Sequence, residues 1–259
     1  MKFAFQLFSD LHQEFLANYY KIPPKADYLF LAGDIHNICK SNFKSFFDYV
    51  SQHWKQVFYI PGNHEYYNKF NTIFQLKKQY QLFFENYTNV HFLDNNISTI
   101  QYNDKSIVII GSTLWSYVKE TESINDFKNI LEKSNEYISK EMFNNFHQKS
   151  LKYIKEQVEL LSNNEKIIIL THFPPLQKNT SSPKHINEKP HIKQYFASNI
   201  LNEFNNTNKI NCWIYGHTHY SNDFIDSETG IRILSNQLGY LQEIKNINMK
   251  EDGVFEIEL

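Results

Sequence analysis

The stretch Val57-Phe58-Tyr59-Ile60-Pro61-Gly62-Asn63-His64-Glu65 decides the reading of this chain. Its first four residues form a short apolar run of the kind that fills a buried β-strand. Pro61 and Gly62 then stop the strand and turn the backbone. Directly past the turn stand an amide and an imidazole, Asn63 and His64. The same arrangement recurs along the chain. Residues 3–8 run into Asp10 and His12, 28–32 into Gly33 and Asp34, 166–170 into His172, and 211–215 into Gly216, His217 and His219. Open α/β sheets gather their ligands at the carboxyl ends of strands, so five strand ends carrying Asp, Asn or His predict one shared site. Gly33, Gly62 and Gly216 precede three of these groups, and a glycine there lets the backbone turn sharply or approach an ion closely.

Composition narrows the class. The 259 residues are 41% hydrophobic and 16% aromatic, enough for a sizeable core, and the net charge is −2. Neither a nucleic-acid-coating nor a membrane-surface protein is expected from that balance. No apolar run approaches the roughly 20 residues that span a bilayer. The start of the chain is too short and polar for a signal peptide, and Cys39 and Cys212 stand alone without paired spacing. These features predict a reduced, cytoplasmic protein without a disulfide framework. Arg232 is the only arginine, so a phosphate site here cannot rest on several bidentate guanidinium forks.

Strands alternate with helical patterns, which argues α/β. Helices are expected from Ser41 as N-cap, with Phe43, Phe46, Phe47, Val50 and Trp54 at helical spacing. A second is expected over 69–85, with Phe70, Ile73, Phe74 and Tyr80 inward, and others over 151–161 and about 191–205. The polar, charged stretch at about 117–145 reads as a helical insertion over one edge, and Glu228-Thr229-Gly230 as the turn of a hairpin. With no internal repeat and no long linker, 1–259 reads as a single domain.

The set Asp10, His12, Asp34, Asn63, His172, His217 and His219 mixes hard oxygen with borderline nitrogen and includes no thiolate. That chemistry suits two divalent or trivalent transition-metal ions, with manganese favoured and Fe, Zn, Ni or Co also compatible, and it does not suit a structural zinc. Seven ligands are too many for one tetrahedral ion and fit two if one carboxylate bridges. A pair of ions about 3.5–4 Å apart is a hydrolytic device that activates water and neutralises phosphoryl oxygens.

Taken together, Asp10-x-His12, Gly33-Asp34, Gly62-Asn63-His64-Glu65, His172 and Gly216-His217-x-His219 resemble the five motifs of the calcineurin-like metallophosphoesterase superfamily, in that family's order. The resemblance implies a four-layer αββα sandwich of two mixed β-sheets flanked by helices. It implies that Asp10, His12 and His219 hold one ion, that Asn63, His172 and His217 hold the other, and that Asp34 bridges. His64 would protonate the leaving group as general acid while hydroxide generated between the ions attacks the phosphoester. The phosphoprotein phosphatases of the superfamily continue GDxxDRG, whereas this chain reads Gly33-Asp34-Ile35-His36-Asn37-Ile38. The expected substrate is therefore a small-molecule or nucleotide phosphodiester. Phosphomonoester or phosphoprotein hydrolysis, or a silent scaffold with the same fold, is the alternative. The stretches 8–12, 62–67 and 111–115 look most like a small bacterial and viral group within the superfamily. Relatives often carry Asn-Pro-Arg-Gly-Tyr near the end where this chain has Asn236-Gln237-Leu238-Gly239-Tyr240. Of the remaining residues, Glu65 is expected either to order its loop or to act in the site. Tyr66, Tyr67, Trp115 and most other histidines are expected to pack, with His147 the one most open to a supporting role.

Overall fold

The computed structural model describes residues 1–120, 124–162, 164–185, 187–204, 209–246 and 248–259. Its strands are β1 (Lys2–Phe8), β2 (Tyr28–Ala32), β3 (Gln56–Ile60), β4 (Val90–Phe92), β5 (Asn96–Tyr102), β6 (Lys105–Ser112), β7 (Leu131–Lys133), β8 (Glu136–Tyr137), β9 (Lys166–Thr171), β10 (Ile210–Ile214), β11 (Asn222–Ile225), β12 (Arg232–Ser235) and β13 (Val254–Glu258). Helices α1 (Phe43–His53), α2 (Ile73–Phe84), α3 (Asp126–Asn129), α4 (Lys140–Leu160) and α5 (Pro190–Phe196) lie between them. One sheet runs β13-β1-β2-β3-β4 and a second runs β11-β12-β10-β9-β6-β5. Both are mixed: β1, β2, β3 and β4 are parallel with β13 antiparallel, and β6, β9, β10 and β12 are parallel with β5 and β11 antiparallel.

The strands read as continuous apolar runs because both faces of each sheet are covered. Along β2, Tyr28, Phe30 and Ala32 join the core between the sheets, while Leu29 and Leu31 join the core under the helices. In β9, Ile168 and Leu170 point between the sheets and Ile167 and Ile169 away. This period-2 division yields four layers: α1 and α2 cover the first sheet, and α4 covers the second.

Local chemistry sets the element ends. Thr72 caps α2 through a reciprocal pair with Gln75, so the helix starts at Ile73 and not near Lys69. Phe70 therefore precedes the helix and Phe74 lies on its outer face, 89% and 51% exposed, and Leu76 takes the inward place expected of Phe74. Asn42, not Ser41, is the N-cap of α1. The stretch expected as a helical insertion over 117–145 is instead the single turn α3, the hairpin β7–β8, and then α4, which starts at Lys140 behind its N-cap Ser139. Asn135 in the left-handed region (φ 61°) makes the hairpin turn that ends any helical continuation. Residues 121–123 of that stretch lie outside the described residues. The helix expected over 191–205 is divided, α5 ending at Phe196 and a short 3-10 turn following at Leu201–Phe204. Residue 205 is not among the described residues.

Candidate functional site

The parallel strands of both sheets end at the same edge of the sandwich, and their carboxyl ends carry the site. Asp10 and His12 follow β1, Asp34 follows β2, and Asn63 and His64 follow β3. From the second sheet, His172 follows β9, and His217 and His219 follow β10. All eight side chains expected in the site from the sequence come together, and most are buried. Five of them hold left-handed backbone: Asp10, His12, Asp34, His217 and His219, with φ between 44° and 74°. Such conformations cost on the order of 1–3 kcal/mol each in a residue with a side chain and persist where the surroundings over-determine them.

The glycines make room for these turns. A Cβ on Gly62 would collide with the Asp34 carboxylate, and one on Gly216 with Ser9 Oγ and with Asp10 Oδ2, at 2.8 Å. Gly33, at φ +82°, lies against the His172 ring.

Hydrogen bonds fix each ring. The Nδ1 of His172 lies 2.9 Å from the carbonyl of Ala32, which leaves Nε2 to face Asn63 Oδ1 at 3.1 Å and Asp34 Oδ1 at 3.4 Å. Asn63 donates its amide to Asp126 Oδ1 at 3.0 Å and to the Tyr67 hydroxyl at 3.1 Å, so its oxygen is the atom turned to the site. His12 and His219 each place Nδ1 on a carboxylate, Glu14 at 3.1 Å and Glu243 at 2.6 Å, and their Nε2 atoms meet at 3.0 Å. Asp34 reaches both sides. Its Oδ2 lies 3.8 Å from His12 Nε2 and its Oδ1 accepts from the backbone N–H of His64 at 2.9 Å. Asp10 accepts from Ser9 Oγ and from the backbone N–H of His217. The Nε2 of His217 is buried without a hydrogen-bond partner.

Electrostatics follow from two buried carboxylates. Burial opposes the charge of Asp34, yet His172, His64 and His12 hold its carboxyl well below the ordinary value. Burial disfavours imidazolium at His172 and His219, and the carboxylates overcome it, pushing His172 up to about 9 through Asp34 and His219 up to about 10 through Asp10 and Glu243. His217 moves the other way, driven well below its ordinary value first by burial and then by the neighbouring His172. His64 is raised, Asp34 and Glu14 outweighing its burial.

The side chains fit metal ions. Several potential ligand atoms converge: Nε2 of His12 on Nε2 of His219, Nε2 of His172 on Asn63 Oδ1, and the Nε2 of His217, which has no hydrogen-bond partner among the described residues. A cation satisfies such a set as well as the carboxylates' demand for positive charge. Among the described residues, three groups have ligand atoms within 4.8 Å of one another: Asp10, His12 and His219; His12, Asp34 and His64; and Asp34, His172 and His217. The first is the trio expected around one ion; the third holds His172 and His217, expected around the other, together with Asp34, which belongs to the second group as well.

A model of the calcineurin-like phosphoesterases matches residues 4–221, which contain all eight site residues. The chain belongs to that family. This phosphoesterase is 34% identical over 271 residues to an uncharacterized protein of Acanthamoeba polyphaga mimivirus, across 93% of this chain and 92% of that one. Its fold is similar to that of a phosphopantetheinyl hydrolase from Mycobacterium tuberculosis (TM-score 0.73, 15% identity, 98% of this chain and 95% of the other). TT1561 of Thermus thermophilus is also similar (TM-score 0.51, 14% identity, 93% and 90%). The two-sheet α/β architecture is the family's, and the phosphoesterase is a hydrolase of phosphoester bonds from a dimetal-dependent family. No helix among its described residues is long and apolar enough to cross a membrane.

Several residues of the site carry no motif. Glu14, two residues past His12, and Tyr67, beside the Asn63-His64-Glu65 turn, could have been found by proximity to it. Asp126, Tyr240 and Glu243 come from segments far along the chain. Tyr240 lies in the 236–240 loop, its ring 4.3 Å from that of His12 and its hydroxyl 3.1 Å from His64 Nε2. Glu65 orders the turns: it accepts from the backbone N–H groups of Asp34, Ile35, His36 and Gly62 and from the Tyr59 hydroxyl. His147 is buried against Trp115, its Nδ1 3.0 Å from that residue's carbonyl, and Tyr66 and Trp115 lie in the core. Arg232 is spent on a bidentate pair with Asp223.

Proposed function

We propose that this chain hydrolyses a small-molecule or nucleotide phosphodiester at the shared strand-end site, with His64 as general acid. The arrangement that carries the reading is His64 bonded through its own backbone N–H to Asp34, the carboxylate whose two oxygens lie near His12 and His172. Asp10, His12 and His219 would hold one ion, Asn63, His172 and His217 the other, and Asp34 both. Two such ions, manganese foremost, supply an activated water and charge neutralisation for the phosphoryl oxygens.

The chain's own residues do the rest. Glu65 holds the turns after β2 and β3 in fixed relation. Asp126 and Tyr67 orient the Asn63 oxygen. Glu14 and Tyr240 grip opposite nitrogens of His64. Raised by Asp34 and Glu14, His64 carries the proton that a leaving alkoxide needs. A cavity of about 350 Å³ is lined by Thr180, Pro183, Ile192, Phe196, Thr218 and Tyr220 and by none of the eight site residues. The loop carrying Arg in relatives carries Gln237 and Leu238 here, and Gln237 bonds Thr218 and the carbonyl of Tyr220.

The test is hydrolysis of bis-(p-nitrophenyl) phosphate and p-nitrophenyl phosphate by manganese-loaded protein. Turnover well above a His64→Asn control, with cyclic or dinucleoside phosphates preferred over phosphopeptides, is expected. Wild-type turnover no greater than the control would sink the proposal, and a preference for phosphopeptides would reverse the substrate assignment.

A further inference from the structure

Glu14 lies between a metal-cluster histidine and the acid. His12, at φ 44°, starts the single 3-10 turn Gln13–Phe15, and that turn folds Glu14 back over the ring two residues before it. One oxygen, Oε1, then lies 3.1 Å from His12 Nδ1 and 3.1 Å from His64 Nδ1. The two rings meet edge to face with centroids 4.5 Å apart. The other oxygen, Oε2, is buried and has no hydrogen-bond partner among the described residues, so the two imidazoles are what the carboxylate serves.

From this geometry we infer that Glu14 is the positioning residue of the leaving-group acid, fixing a proton on His64 Nδ1 so that Nε2 alone faces the substrate. The inference rests on the proposed role of His64. In the step, water oxygen forms the new bond to phosphorus and its released proton goes to solvent. The P–O bond to the leaving group breaks with its electron pair on the ester oxygen, which takes the Nε2 proton. His64 is left neutral, its remaining proton on Nδ1 against Glu14, and solvent later reprotonates Nε2. An anionic partner on the far nitrogen orients the ring throughout.

Two measurements test this. In ¹⁵N-histidine NMR of wild-type protein, His64 should carry its proton on Nδ1 when neutral, and Glu14→Gln should weaken or lose that preference. A neutral His64 protonated on Nε2 in the wild type overturns the inference, whether or not any substrate is turned over. The second measurement is the slope of rate against leaving-group basicity for a series of aryl and alkyl phosphate esters. Glu14→Gln should lose on the order of 10–100-fold more on the most basic leaving group than on p-nitrophenol, with metal content kept. In a His64→Asn background the same change should add no such selective loss. Uniform loss across the series, or loss that follows metal content alone, overturns the role and assigns Glu14 to His12. Wild-type protein inactive on every ester would instead count against the proposed function, while the NMR result would still decide the tautomer.

Discussion

The Nε2 atoms of His12 and His219, 207 positions apart in sequence, face one another at 3.0 Å, and each ring's Nδ1 is engaged by a glutamate. That is the distance of a shared proton, and a metal ion can take the proton's place between the two rings.

Metal should therefore stabilise the folded protein strongly. Elemental analysis of protein purified without chelator is expected to give about two transition-metal ions per chain. At free ion 100-fold above Kd, a site adds about 2.7 kcal/mol, so chelation should lower Tm by several degrees and manganese should restore it. An unchanged Tm on chelation would count against the site.

Asp34→Asn should be worse than His12→Ala. The two Asp34 oxygens approach His12 and His172, on opposite sides of the site, at 3.8 and 3.4 Å. On the proposed assignment Asp34 serves two ions and His12 one, so loss of the carboxylate weakens both sites. Residual metal and kcat measured side by side check this, and equal losses in the two variants would remove the bridge.

Glu65→Ala should destabilise the fold by about 3–5 kcal/mol, because it strands four backbone N–H groups and the buried Tyr59 hydroxyl. Denaturant unfolding of metal-free protein isolates this effect from ion binding. A change below about 1 kcal/mol would mean that the turns hold themselves.

Gly216→Ala should abolish metal binding while the sheets still form. Its new methyl would press on Ser9 Oγ, on the carbonyl of Ala32 at 2.7 Å and on Asp10 Oδ2 at 2.8 Å. The carbonyl is backbone, and the Ser9 and Asp10 side chains are fully buried and hydrogen-bonded in place. Far-ultraviolet circular dichroism close to wild type, with ion content near zero, is the expected pair of observations; full ion content would show that Asp10 can give way.

The ligands were readable from sequence because each must sit at a strand end, and a strand with both faces buried announces itself as an apolar run closed by Gly or Pro. The α/β class followed from the same runs, and the four layers from the family resemblance. What did not show were the groups that hold the ligands. Asp126 reaches Asn63 from a stretch whose polar composition matched an exposed helix, and its burial depends on chain packed from elsewhere. Glu243 reaches His219 in the same way. The inward face of α2 was misjudged at Phe70 and Phe74 because hydrophobicity alone does not say where the first turn begins; the Thr72–Gln75 cap does.

The site draws on both sheets, and this has a consequence for how the protein is made. On the proposed assignment, the cluster of Asp10, His12 and His219 takes two ligands from near the amino terminus and its third only after 206 further residues have been added to His12. A nascent chain on the ribosome thus has no complete site until β10 has been laid beside β9 and the turn that follows it has emerged. Ion uptake is a late event in biogenesis, and a chain stopped short of His219 is a sandwich without a centre.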